Sequence, residues 1–166
     1  MGRKKISFQA AIILIVGMIL CSCIRGEDYR KKIEKKGMSF TQEAFLNEVR
    51  SGNKEHMELF IKAGMDINSR DKDGSTALMI VSEKGDLEMA QLLIQNGADV
   101  NAKNIDGYTA LMYVAYKGNL QIAELLIKNR ADINARDKDG WTALRYASIQ
   151  RRNDIIKLLN KAKDQK

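Results

Sequence analysis

Proline is absent from all 166 residues, and cysteine occurs only at Cys21 and Cys23. No pyrrolidine ring breaks a helix anywhere in such a chain. With both thiols close to the amino terminus, residues 24–166 need no intrachain disulfide in an oxidising compartment. Histidine is almost missing as well: His56 stands alone, so a Cys-Ser-Cys metal hook has nothing to complete it. By its alignment with Met89 and Ile122, His56 lies on a half-buried helix face and is expected to pack rather than to act as a general base. No phosphate-binding loop or dinucleotide fingerprint occurs, so neither an enzyme nor a bound cofactor is expected. The formal charge of +7 is uneven. Residues 1–38 carry nine Lys or Arg against three acids (+6), and residues 39–166 carry 19 against 18 (+1). The body therefore lacks the basic footprint that phosphate backbones demand, which argues against a nucleic-acid partner.

What is present begins with a leader. Arg3, Lys4 and Lys5 precede the apolar run Ala10 to Leu20, and Arg25, Glu27, Asp28 and Arg30 follow soon after it. A positive start and an apolar stretch shorter than the ~20 residues of a spanning helix read as an export signal over residues 1–22. Its end, Leu20-Cys21-Ser22-Cys23, resembles the bacterial lipobox. That resemblance implies that Cys23 takes a diacylglycerol and becomes the mature amino terminus, with Cys21 departing from the usual small residue. It also implies a periplasm-facing lipoprotein of the bacterial cell envelope; an uncleaved single-pass membrane anchor is the alternative. Residues 23–38 read as a basic linker whose apolar residues are too sparse to bury much, a solvated spacer or loose helix. Its Lys31, Lys32, Lys35 and Lys36 are placed to rest on anionic headgroups.

The remainder repeats itself. Asp139-Gly140-Trp141-Thr142-Ala143-Leu144 returns 33 residues earlier as Asp106-Gly107-Tyr108-Thr109-Ala110-Leu111, and again as Asp73-Gly74-Ser75-Thr76-Ala77-Leu78. A fixed period in the thirties is the mark of a solenoid, whose units bury apolar faces only against their neighbours. Units are expected at about 39–70, 71–103, 104–136 and 137–166, the first worn at its front and the last polar at its end. In each full unit the Gly makes a turn, Thr76, Thr109 or Thr142 caps a short helix, and a second helix follows. In the first unit, Ser39-Phe40-Thr41-Gln42 offers a capping box. Asp73, Asp106 and Asp139 are expected to accept backbone N–H groups of their turns. Asp71-Lys72-Asp73-Gly74 mimics the front of a calcium loop but lacks that loop's final Glu, so no metal site is expected.

The pattern Gly74-Ser75-Thr76-Ala77-Leu78-Met79-Ile80-Val81 and its two in-phase copies, with Asn96-Gly97-Ala98-Asp99-Val100-Asn101, resemble the ankyrin repeat. The resemblance covers about three quarters of the chain. It implies an all-α solenoid of about four helix-turn-helix repeats with hairpin-like turns, monomeric, binding a protein partner as scaffold or inhibitor. An immunity-type inhibitor of a toxin or enzyme is one form of this. A small-ligand receptor or an enzyme is the reading from another class. Ala replaces the family's Pro in each copy, Met79, Met112 and Arg145 replace its His, and Arg130 stands where a glycine should cap. A non-glycine in left-handed backbone costs ~1–2 kcal/mol, so the third-to-fourth junction is expected to be weakest. Partners of the family dock on turn tips and first helices, which implies Ile105, Tyr108, Tyr116 and Lys117 of the third unit. In the fourth they would meet Lys138, Trp141 and Ile149. Tyr113 and Tyr146 align with Ile80 and are expected in the core.

Overall fold

The first-helix caps set the architecture. Thr76, Thr109 and Thr142 hold extended backbone, and their side chains accept from Met79, Met112 and Arg145 N–H. A computed structural model describes residues 26–164. After a helix over residues 26–35 (α1) come α2 (Gln42–Ser51), α3 (Lys54–Lys62), α4 (Ala77–Lys84) and α5 (Leu87–Gln95). They are followed by α6 (Ala110–Lys117), α7 (Leu120–Lys128), α8 (Ala143–Ile149) and α9 (Asn153–Asp164). The first helices α2, α4, α6 and α8 pack in one layer. In the second, α5 and α7 pack together and α7 packs on α9, and each first helix packs on its own second helix. Between the layers lies one continuous core, with Leu78, Met79, Leu111, Met112, Ile122 and Leu126 fully buried. This is the all-α solenoid that the 33-residue phase implies, and Met79 and Met112, in the family's His positions, serve it as apolar filler.

Three local expectations need correction. The first helix of the first unit is capped by Thr41, which accepts from Ala44 N–H, and not by a box begun at Ser39. The turn acceptors are Asp71, Asn104 and Asp137, two residues ahead of the expected aspartates. Each Oδ1 takes the N–H groups two and four residues on. Asp73 and Asp106 instead use their backbone carbonyls, accepting Ile105 N–H at 3.0 Å and Lys138 N–H at 2.9 Å, which stacks one tip on the next. Ahead of the tips, Asn68 and Asn101 accept from Asp99 and Asp132 N–H of the following unit.

The third correction concerns the linker. Residues 26–35 form a helix whose Ile33 is fully buried. Arg30 donates to the Ala63 carbonyl at 3.3 Å and lies 4.6 Å above the Phe40 ring, and Lys36 pairs with Glu55. One well-placed isoleucine and a guanidinium–aromatic contact seat this helix on the first repeat, although its apolar residues are few. Among the described residues no helix is long and apolar enough to cross a membrane. The apolar run 10–20, the signal over residues 1–22 and Cys23 lie outside the described residues.

Candidate functional site

Turn tips and first helices line a chain of open clefts along one face of the solenoid. One cleft of about 400 Å³ lies between α2 and the second unit's tip, at Arg50 and Asp71, which form an ion pair. Another, about 350 Å³, opens between the third and fourth units over Tyr108, Tyr113, Tyr116 and Tyr146, with Met112 also lining it and Glu83 and Lys117 beside them.

Tyr146 is the hub. Its ring lies 5.6 Å from Tyr108, 5.4 Å from Trp141 and 6.5 Å, edge-on, from Tyr116, while Tyr113 lies 5.6 Å from Tyr108. Offset and tilted pairs at these separations each add ~0.5–1.5 kcal/mol beyond burial. The Tyr146 hydroxyl is bonded to the buried Asp137 carboxylate and, at 3.0 Å, to the Tyr108 hydroxyl. It has one proton, and the charged carboxylate is the stronger acceptor, so the Tyr108 hydroxyl donates to Tyr146. Burial pushes the Tyr146 hydroxyl far above the usual tyrosine range, and the bond to Asp137 adds to this. For Asp137, burial alone would raise the carboxyl. The Tyr146 hydroxyl, the Trp141 and Asp139 N–H groups and the Arg145 charge outweigh it and hold it below the usual range. Tyr113 is raised too, chiefly by burial.

The residues that the resemblance assigns to docking divide into two sets. Ile105 (56% exposed), Tyr116 (45%) and Ile149 (52%) stand open to solvent. Tyr108 and Trp141, aligned with solvent-facing positions, are half-buried in the aromatic cluster, and Arg145 lies 4.0 Å above the Trp141 ring. Lys117 pairs with Glu83 at 3.3 Å, its ammonium 6.0 Å from the Tyr116 centroid, and Lys138 pairs with Asp106 at 3.7 Å. As expected of core positions, Tyr146 is buried, while Tyr113 is half-buried and lines the cleft. Asp137 was missed as the anchor of the cluster; its phase with Asp71 and Asn104 was the signal available.

His56, half-buried, is bonded to Asn53 and Glu48. Among the described residues no three His, Cys, Asp or Glu side chains gather as metal ligands.

Stacked helix pairs with hydrogen-bonded turn tips and a lined face define a helical-repeat binding scaffold. A family model of ankyrin repeats, in three copies, matches residues 20–104 and 81–166. The chain belongs to the ankyrin repeat family. A search of curated proteins finds no match.

Proposed function

We propose that this chain is an exported, membrane-tethered ankyrin-repeat protein that acts by occupancy. A protein partner docks on the face of turn tips and first helices, centred on the third and fourth units, and is thereby scaffolded or inhibited. The observation that carries this reading is the exposure of Tyr116, which lines the tyrosine cleft, together with that of Ile105 on a turn tip and Ile149 at the end of α8. Three large apolar side chains left open on turn tips and first helices, where the family's partners dock, suit a docking surface, and a Tyr is a frequent anchor. The tether rests on the leader, where Leu20-Cys21-Ser22-Cys23 follows an uncharged apolar run. Acylation at Cys23 would hold the repeats at a membrane facing the periplasm.

Binding is tested by affinity capture with the full chain and with a variant carrying Ile105→Ala, Tyr116→Ala and Ile149→Ala. These three side chains are exposed, so the variant keeps its core. A protein held by the parent and lost from the variant is the expected result; equal retention on both places the surface elsewhere. The mass of the mature chain tests the tether. Loss of residues 1–22 with an added diacylglycerol is expected, and retention of residues 1–22 would make the leader an uncleaved anchor.

A further inference from the structure

The tyrosine cleft has an electrostatic character of its own. Tyr108, Tyr116 and Tyr146 contribute rings, Glu83 contributes a carboxylate, and the cationic side chain lining the cleft is Lys117. Aromatic faces carry negative potential and attract ammonium or guanidinium groups. In and beside this cluster the rule is already followed twice. Lys117 reaches back to Glu83 beside Tyr116, and the Arg145 guanidinium lies over the ring of Trp141, which borders the same cluster. The Lys117–Glu83 pair is half-exposed on both sides, at 42% and 51%. Such pairs contribute little, so a competing cation displaces Lys117 readily.

Resting on the docking reading above, we propose that this cleft is a slot for an arginine side chain of the partner. The guanidinium would lie against the Tyr116 ring and bond Glu83 in place of Lys117. Arginine is favoured over lysine because its planar, weakly hydrated guanidinium both stacks on a ring and pairs with a carboxylate in a bidentate way. Lys117 then acts as an internal competitor that occupies the slot in the free protein.

The test uses the full chain in nonionic detergent with ¹³C-labelled tyrosine rings, titrated with Nα-acetylarginine amide. Its neutral citrulline analogue and Nα-acetyllysine amide are the parallel probes. Arginine should shift the Tyr108, Tyr116 and Tyr146 ring signals, and citrulline should leave them in place. Affinity should fall about threefold in Glu83→Gln and rise about threefold in Lys117→Ala, the scale of one exposed ion pair. Both changes are at half-exposed side chains and leave the ring cluster in place to report. Equal shifts with citrulline would overturn the cationic slot, as would silence with every probe or no tightening in Lys117→Ala. Tighter binding of the lysine probe would overturn the choice of arginine. The capture experiment stands apart: a partner lost from the Ile105, Tyr116 and Ile149 variant keeps the docking reading even when the slot fails.

Discussion

Ser82 is fully buried in α4, and its hydroxyl has no hydrogen-bond partner. Thirty-three residues on, the same place is held by Ala115, also fully buried. A buried hydroxyl without a partner costs ~1–3 kcal/mol, so Ser82→Ala should stabilise the chain by about 1 kcal/mol in urea melts. An unchanged midpoint would mean that the hydroxyl is satisfied. Tyr146 makes the opposite case. Removing its hydroxyl leaves Asp137 without its side-chain donor, and Tyr146→Phe should cost about 1.5–3 kcal/mol near neutral pH. The sign with pH follows from both groups. The folded Asp137 carboxyl lies below its unfolded value, so its contribution is present above about pH 4 and lost as pH falls further. The folded Tyr146 hydroxyl lies above its unfolded value, so its contribution is present below about pH 10 and lost as pH rises. The gap between parent and Tyr146→Phe should therefore be widest between those limits. A gap that stays constant into acid would remove Asp137 from the account.

At the scale of the repeat element, two glycines of identical phase have different neighbours. Gly107 and Gly140 both hold positive φ, at 84° and 76°. A Cβ on Gly107 would meet Asp137 Cα at 2.9 Å and Lys138 N at 3.1 Å, whereas one on Gly140 meets nothing within 4 Å, because among the described residues no further tip stacks there. Gly107→Ala should cost about 1–3 kcal/mol more than Gly140→Ala, since only the former overpacks a junction. Equal losses would mean that tip stacking adds nothing. Arg130 carries φ 65°, the strain that its place in the phase implies. Arg151 carries φ 55° where Gly85 and Gly118 stand in earlier units, a departure that the same alignment would have exposed. Arg130→Gly should raise the melting temperature by about 2–4 °C, the relief of left-handed strain being partly offset by glycine's freedom when unfolded. No rise would show that the third-to-fourth junction carries no such penalty. Helices, caps and tips were legible because three in-phase copies average out local accidents. The turn acceptors were misplaced by two residues because Asp occurs at both positions of Asp71-Lys72-Asp73 and only geometry tells them apart.

Across the whole molecule, the stack is closed at its amino-terminal end by a segment that the periodicity could not find. Helix α1 lies outside the repeat phase and offers one fully buried side chain, Ile33, so no pattern announces it. Ile33→Ala should cost about 2–4 kcal/mol of stability by chemical denaturation, in the range for a buried isoleucine. A loss below about 0.5 kcal/mol, as at ordinary surface sites, would return the segment to a spacer. The aromatic site was legible in part for a related reason. Phase separates first-helix positions from core positions, but it does not show that Tyr108 and Trp141 fold inward onto Tyr146 while Tyr116 stays open. The most direct test of a docking face is photo-crosslinking in the cells that make the protein, with benzoylphenylalanine at Tyr116, Ile149 or Gln121. Gln121 is exposed on α7, in the second layer. The account predicts one adduct of the same mass from Tyr116 and Ile149 and none from Gln121. An adduct from Gln121 alone, or none from Tyr116 and Ile149, would contradict it.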